Sequence, residues 1–328
     1  MNKNILVTGS TGFVGSHMVD FLLKNIKKIN IFCTKRYHLS RLDNVRHFYD
    51  KVEWVDCDIT DPIAVTKMIK KIKPTKIFHF AAESFVSPSW DHPTRYMSVN
   101  YNGTLNILDA IKNFSKESKI IIPGSGEEYG EVKKNKLPIN SNTVLSPVNP
   151  YAVTKIAQDL INFVYFKSYG TKVIRTRTFN HEGARRQNVF GISSYAYQIA
   201  RIEKGLQKPV IKVGTLTDKR NFTHVKDIVR AYWLASQKCK VGELYLIGNE
   251  RKDSIFTFKQ VLEMLIKLST KKNISYIEHK PFVRPTTVPY LIADISNFKK
   301  ITKWKPVLGI KDILQDTLNY WRNEIDKR

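Results

Sequence analysis

The opening of the chain constrains its fold more than any other stretch. The apolar run ILVT at residues 5–8 leads into GSTGFVG, in which Gly9, Gly12 and Gly15 stand three apart, and then into an apolar helical pattern. A strand that breaks into spaced glycines and passes directly into a helix predicts a tight turn whose backbone can approach a pyrophosphate. The helix N-terminus then faces the phosphates. The chain is therefore predicted to bind a dinucleotide.

The first half of the chain repeats this strand–helix order. Helical periodicity occupies segments such as 13–27, 93–113 and 149–168, between short apolar runs typical of buried strands. Such alternation predicts an α/β fold with a Rossmann-type, doubly wound parallel sheet. The predicted strands cover residues 4–8, 29–33, 52–55, 76–81, 119–123 and 172–178.

Beyond about residue 180 the pattern becomes less regular, and prolines punctuate short segments. We therefore predict an NAD(P)-binding Rossmann domain over residues 1–180, with some later segments returning to it. Residues 181–328 are predicted to form mainly a smaller α/β substrate lobe.

Composition excludes several classes of function. The net charge of +25 comes from lysines and arginines scattered through helices and loops, so no basic stripe for nucleic acid is predicted. No apolar run reaches membrane-spanning length and no signal peptide is recognisable, so we expect a cytoplasmic protein without membrane contact. Cys33, Cys57 and Cys239 are too widely spaced for a metal or disulfide framework and are expected to be buried.

The end of the second predicted strand bears on the choice of cofactor. The stretch FCTKRYHLSR contains Lys35, Arg36 and Arg41 and no acid. An acid in this place usually binds the ribose 2′-hydroxyl of NAD, whereas a basic residue accommodates a 2′-phosphate. NADP is therefore favoured over NAD.

A second motif, NPYAVTK, carries chemistry. Tyr151 and Lys155 are four residues apart, so a helix would place both on one face, where the ammonium can lower the pKa of the phenol. Such a phenol suits a base beside a nicotinamide. Ser125, at the end of an earlier predicted strand, would complete the group by orienting a substrate oxygen.

With these landmarks the chain resembles the extended short-chain dehydrogenase/reductase (NAD-dependent epimerase/dehydratase) family over nearly its whole length. The stretch IFHFAAESFV at 77–86 adds to the resemblance. The resemblance implies catalytic roles for Ser125, Glu127, Tyr151 and Lys155. It implies cofactor contacts from Gly9, Thr11, Gly12, Phe13, Val14, Gly15, Arg36, Asp58, Ile59, Ala81, Tyr151 and Lys155.

Stretches in the second half are similar to enzymes that act on GDP-sugars. RTRTFNHEGARR at 175–186, KVGTLTDKRNFTHVKDIVRAYW at 212–233, VRPTTVP at 283–289 and WKP at 304–306 resemble GDP-mannose 4,6-dehydratases and GDP-4-keto-6-deoxymannose reductases. The resemblance implies a GDP-sugar substrate. Guanidinium groups suit phosphates because they make paired, charge-assisted hydrogen bonds. The implied substrate-binding residues are Ser84, Asn180, Arg185, Arg220 and Arg284.

The stretch GSGEEYG at 124–130 leaves two functions open. Glu127 matches the base that removes the C5 proton in the dehydratases, but the preceding position, a proton donor in those families, is Gly126. Glu127 could serve both steps of a 4,6-dehydration of a GDP-hexose or GDP-heptose. Alternatively, the enzyme is a C4 dehydrogenase or 4-keto reductase without dehydration. Glu128 is expected to be a solvated or structural carboxylate.

The helices predicted at 93–113 and 149–168 carry apolar residues over wide arcs, more than one sheet face requires. In the family that this chain resembles, these helices form a dimer interface. We therefore expect at least a homodimer, or a homotetramer.

Overall fold

A computed structural model describes residues 3–327. The strands are β1 (Lys3–Thr8), β2 (Ile29–Lys35), β3 (Glu53–Asp56), β4 (Lys76–His79), β5 (Lys119–Ser125), β6 (Lys172–Thr178), β7 (His181–Glu182), β8 (Val210–Val213), β9 (Lys219–Asn221), β10 (Thr223–His224), β11 (Leu244–Ile247), β12 (Ile255–Thr257), β13 (Ser275–Glu278) and β14 (Tyr290–Leu291). The helices are α1 (Phe13–Asn25), α2 (Pro62–Ile72), α3 (Pro93–Met97), α4 (Gly103–Phe114), α5 (Pro150–Tyr169), α6 (Gly191–Glu203), α7 (Val225–Lys238), α8 (Phe258–Lys267), α9 (Ser296–Thr302) and α10 (Ile310–Asp326). A π-helical turn, Ser98–Asn102, joins α3 to α4.

The central sheet has seven strands in the order β11-β6-β5-β4-β1-β2-β3, and every pairing in it is parallel. The strand order reverses between β1 and β4, and such a switch point leaves a crevice at the carboxyl ends of the strands. The predicted Rossmann-type doubly wound sheet is confirmed, and each strand predicted from the sequence overlaps a strand of this sheet.

Helix α5 begins where the sequence provides a cap. The Asn149 side chain accepts a hydrogen bond from the Ala152 amide at 2.8 Å, and Pro150 occupies the first helical position, where its missing N–H costs nothing. The helix ends at Gly170, whose φ of +68° suits glycine. These signals fix the register of the helix that carries Tyr151 and Lys155.

Among the hydrophobic clusters of residues 3–327, two show how the two parts of the molecule are held together. The larger one packs α1 and α7 on the sheet through residues such as Val19, Phe78 and Tyr232. The smaller one joins α6, α8 and α10 through Ile199, Leu262 and Leu314. The chain thus returns from the second part to the sheet through α7 and β11. All three cysteines are buried. Among residues 3–327, no helix has both the length and the apolarity needed to cross a bilayer.

Candidate active site

The turn between β1 and α1 can only be made with glycine. Gly9 has φ +68°, and a Cβ on it would lie 2.6 Å from the Ala81 amide nitrogen. A Cβ on Gly15 would lie 2.2 Å from the Gly9 carbonyl oxygen. Gly12 donates its amide to that same carbonyl at 3.0 Å. The predicted residues Gly9, Gly12, Gly15 and Ala81 therefore meet at the switch point of the sheet.

The N-terminus of α1 remains open to an anion. Its N-cap is Gly12, and within residues 3–327 no side chain accepts from its first amides. Unpaired amides at the start of a helix of this length bind phosphate readily. A nicotinamide dinucleotide therefore fits this cradle, with its pyrophosphate at the turn. Phe13 in the first helical turn faces His181, their rings parallel at 5.9 Å, and Thr11 and Val14 flank it.

The basic residues at the end of β2 have different environments in the structure. Lys35 pairs with Asp56 at the end of β3, with 3.2 Å between Nζ and Oδ1. Sequence adjacency did not suggest this acid, because it comes from the next strand. Arg36 is exposed and Arg41 follows a short loop beyond it. Arg36 and Arg41 are therefore both exposed cations at this edge, whereas Lys35 is paired with an acid.

The loop after β3 holds Asp58 and Ile59. The Asp58 carboxylate accepts hydrogen bonds from the Thr60 amide and hydroxyl at 2.9 and 2.8 Å. Ile59 is buried, and its Cδ1 occupies the space that a Cβ on Gly103 would need, 2.5 Å away. The side chain of Ile59 thus points into the core, so only its backbone could contact a ligand. The predicted cofactor contact of Ile59 stays a prediction.

Ser125, the last residue of β5, caps a short helical turn, Gly126–Tyr129, that contains Glu127. The Ser125 hydroxyl accepts the Glu127 amide at 3.2 Å. The Glu127 carboxylate accepts from Asn149 Nδ2 at 3.1 Å and lies 3.6 Å from Arg284 Nη1. Asn149, which also caps α5, therefore connects Glu127 to the helix of Tyr151.

Tyr151 is buried in the first turn of α5. Burial raises the pKa of its hydroxyl, a side-chain hydrogen bond with Ser125 opposes the rise, and Glu127 adds to it. Arg186 lowers the pKa of the same hydroxyl. A phenolate at this position therefore depends on nearby positive charge.

Lys155 lies one turn further along α5, also buried. Its Nζ donates to the Pro123 carbonyl at 2.6 Å and to the Gln158 side chain. Gln158 in turn donates to the Thr104 hydroxyl at 2.6 Å, and Thr104 contacts His79. Burial lowers the pKa of Lys155. The amine is thus held by neutral partners close to the end of β5.

Arg220 and Arg284 both lie near Glu127, and their role in substrate binding stays a prediction. Arg220 is buried, and its Nη2 lies 3.2 Å from Asp218 Oδ2. Burial lowers the pKa of Arg220, Glu127 and Asp218 raise it, and Arg284 lowers it. Two guanidinium groups and two carboxylates therefore lie close together beside Glu127.

Arg185 lies elsewhere. Its φ is +70°, and its Nη1 pairs with Asp20 Oδ2 of α1 at 2.6 Å, so the role assigned to it stays a prediction. The neighbouring Arg186, which sequence reasoning did not single out, points the other way. It lies over the rings of Phe190 at 3.9 Å and Phe13 at 5.0 Å. The adjacent pair Arg185 and Arg186 indicated an arginine near the site, but only the fold shows that Arg186 is the one that faces it.

Three further positions complete the site residues. Ser84 is exposed on the loop after β4, and Asn180 is half-buried after β6, where its carbonyl accepts the Thr223 amide at 3.0 Å. Glu128, expected to be solvated or structural, is fully buried. The solvated alternative is therefore wrong.

Comparison with known proteins gives a consistent result. The profile of the family described as GDP-mannose 4,6 dehydratase matches residues 6–317. GDP-mannose 4,6-dehydratase of Vibrio cholerae is 31% identical over 351 residues, covering 96% of this chain and 93% of that protein. GDP-6-deoxy-D-mannose reductase of Pseudomonas aeruginosa is 27% identical over 325 residues, covering 99% of each. The solved structure of RMD from Pseudomonas aeruginosa complexed with NADPH has a TM-score of 0.85 at 25% identity, covering 98% of this chain and 100% of that one.

The glycine turn that fits a dinucleotide and the buried Tyr151 lie at the same crevice. This arrangement is that of a nicotinamide-dependent short-chain dehydrogenase/reductase. The family profile that matches residues 6–317 identifies the family within this class. The chain belongs to the GDP-mannose 4,6 dehydratase family.

Proposed function

We propose that this protein oxidises C4 of a GDP-linked hexose or heptose and acts as a GDP-mannose-type 4,6-dehydratase. The observation that carries the proposal is the placement of Glu127. Its carboxylate shares a turn with Ser125, influences the pKa of Tyr151, and is held by Asn149 and Arg284. A carboxylate beside a hydroxyl base is what elimination after C4 oxidation requires.

In the first step Tyr151 takes the proton of the C4 hydroxyl while Ser125 holds the same oxygen. A bound nicotinamide supplies the hydride acceptor at C4 and later the hydride donor at C6. Arg186 favours the ionised form of Tyr151 through its positive charge. Positioned acid–base groups of this kind contribute roughly a hundred- to ten-thousand-fold in rate.

In the second step the new C4 ketone acidifies the C5 proton, which Glu127 removes. The C6 hydroxyl leaves as water and needs a proton. Gly126 carries no donor, so Glu127 returns the proton it has just taken. One carboxylate thus serves both transfers, and the C5–C6 double bond forms as water departs. When the hydride returns to C6, C5 takes up one proton, which balances the proton that Tyr151 removed from the C4 hydroxyl.

The charged groups beside Glu127 suit a diphosphate. Arg220 and Arg284 present guanidinium forks, which bind phosphate oxygens through paired, charge-assisted hydrogen bonds. Ser84 and Asn180 would contact the same substrate. Arg185 could join them only after leaving Asp20.

A second candidate is a C4 dehydrogenase or 4-keto reductase without dehydration. Gly126 favours it, because the position offers no acid for the leaving hydroxyl. A Cβ there would lie 3.2 Å from the ring of Phe179. This turn is therefore closely packed against the ring.

Mass spectrometry of the product formed from GDP-mannose tests the proposal. A dehydratase gives loss of one water, whereas loss or gain of two hydrogens identifies the second candidate. Tyr151→Phe should suppress all turnover by roughly a hundred- to ten-thousand-fold. Glu127→Gln should retain C4 oxidation, seen as reduced cofactor on the enzyme, and lose the dehydrated product.

Glu131→Gln is the matched control, because Glu131 is an exposed carboxylate just beyond the same turn. It should leave the product and the rate unchanged. Unaltered water loss in Glu127→Gln would contradict the assignment of the base, and no turnover of GDP-mannose by the wild type would contradict the proposed function.

We also propose that NADP is preferred over NAD, because Arg36 is an exposed cation directly at the end of β2. A homodimer formed through α5 is proposed from the apolar residues on the outer face of this helix. Val153, Leu160 and Val164 are 46%, 53% and 46% exposed.

A further inference from the structure

The carboxylate of Glu128 lies directly behind the candidate site. It is fully buried, in the turn whose other acid, Glu127, faces the substrate side. Oε1 accepts the Ser125 amide at 2.7 Å, and Oε2 accepts Arg177 Nε at 2.6 Å. Both oxygens are therefore committed to fixed partners, one of them the backbone of a candidate catalytic residue.

Gly124 makes room for this carboxylate. A Cβ on Gly124 would lie 2.5 Å from Glu128 Oε1 and 2.7 Å from the Thr176 carbonyl oxygen. Real Cβ atoms do not approach so closely, so any larger residue at position 124 would displace the carboxylate from Ser125. The small residue and the buried acid form one arrangement.

Arg177 extends the arrangement to α5. Its Nη2 donates to Asp159 Oδ2 at 2.7 Å, and its Nη1 donates to the Tyr129 hydroxyl at 3.0 Å. Asp159 follows Lys155 by one turn of the helix. Arg175 pairs with the same aspartate at 2.6 Å. The buried network therefore ties the end of β5 to the helix that carries Lys155.

We propose that Glu128 is a positioning residue, whose Arg177-bound carboxylate fixes the Ser125 backbone and, through Arg177 and Asp159, sets the surroundings of the buried Lys155 amine. The proposal deepens the proposed function and rests on it for the identity of the sugar substrate alone. Glu128 itself touches neither substrate nor cofactor, because it has no exposed surface.

The charges around Lys155 support this role. Burial lowers the pKa of Lys155, and Glu128 and Asp159 oppose that fall. From β4, His79 faces the same amine as a neutral ring, because burial lowers its pKa to about 3. Burial raises the pKa of Glu128, which Arg177 opposes. The ammonium thus depends on the two carboxylates of the network.

Glu128→Gln tests the proposal, because it keeps the shape and an oxygen for Ser125 but removes the charge. NADPH binding is followed by NADPH fluorescence from neutral to alkaline pH. The affinity should fall as Lys155 loses its proton, and this fall with rising pH is called the alkaline limb. Lys155→Met should abolish the limb. In Glu128→Gln the limb should move to lower pH by about one unit or more, as expected for the loss of a close buried charge. Asp159→Asn should move it in the same direction.

The exposed Glu131 again gives the control, since Glu131→Gln removes a charge that solvent screens and should leave the limb in place. An absent wild-type limb, or an unchanged limb in folded Glu128→Gln, would overturn the proposal and leave Glu128 a structural ion pair. If the wild type shows the expected alkaline limb of NADPH binding but does not turn over GDP-mannose, the proposed function is refuted and the role of Glu128 is not.

If Glu128→Gln does not fold, the paired replacement Glu128→Leu with Arg177→Met is the alternative, because apolar substitution of both partners of a buried pair often preserves stability. This variant frees the Ser125 backbone. It should lower kcat by about tenfold or more, the lower range of effects at positioned groups, with little change in KM for GDP-mannose. An unchanged kcat would overturn the proposal.

Discussion

At the scale of single residues, two neighbouring cations at the end of β2 have different environments. Lys35 is bound to Asp56, whereas Arg36 is exposed with its backbone amide bonded to the Ser40 hydroxyl at 2.8 Å. A 2′-phosphate needs a cation that is not already neutralised. Arg36 therefore carries the proposed preference for NADP.

Arg36→Ala should weaken NADP binding by about tenfold or more and leave NAD binding nearly unchanged, because hydrogen bonds to charged groups contribute about 1.5–3 kcal/mol. Isothermal titration with each cofactor measures both affinities. Lys35→Ala is the matched control and should alter the ratio little. Wild-type affinity for NAD equal to or above that for NADP would contradict the prediction.

The same scale shows where sequence reasoning succeeds. Gly9 and Gly15 could be placed because a tight turn is a local requirement that the spacing of glycines records. Glu128 could not, because two adjacent acids after a strand resemble a solvated turn until Arg177 of β6 is known to lie behind them. Asp56 was missed for the same reason, since the partner of Lys35 comes from the neighbouring strand.

At the scale of elements, α5 has two different faces. One buries Tyr151 and Lys155 against the sheet, and the other exposes Val153, Leu160 and Val164 at helical spacing. The periodicity of the sequence predicted the helix, and its excess of apolar positions predicted a second contact. The sequence alone could not separate the core face from the exposed one.

Leu160→Glu should convert a wild-type dimer into a monomer, because it places a charge at the centre of the exposed face, where burying a leucine contributes about 1.5–3 kcal/mol. Light scattering at micromolar concentration gives the mass. Ile63→Glu is the control, since Ile63 is 65% exposed on α2, away from this face. A monomeric wild type, or a dimeric Leu160→Glu, would rule out the proposed interface.

At the scale of the whole molecule, a buried polar chain crosses the fold beneath the site. His79 on β4 contacts the Thr8 hydroxyl at 2.8 Å and the Thr104 hydroxyl at 3.1 Å, and Gln158 continues the chain to Lys155. These groups come from β1, β4, α4 and α5. The global stability of the protein should therefore respond to the protonation of His79.

The direction of the response follows from the pKa of His79, which burial, and then the Lys155 charge, lowers to about 3. Below the ordinary histidine value of about 6.5 the unfolded chain binds a proton that the folded chain does not, so this contribution to stability is lost as the pH falls. Glu182 acts in the opposite direction, because burial raises its pKa to about 7. The wild-type pH dependence alone therefore does not isolate His79.

His79→Gln isolates it, because an amide can bond both threonine hydroxyls but does not titrate. Between about pH 7 and pH 5 the wild type should lose about 2 kcal/mol more of its free energy of unfolding than the variant. Urea unfolding at the two pH values measures this difference. His92→Gln, at an exposed histidine, should follow the wild type. The prediction is contradicted if the free energy of unfolding of His79→Gln falls between these pH values as much as that of the wild type. In that case His79 takes up its proton in the folded protein as readily as in the unfolded chain, and the polar chain does not hold a neutral ring.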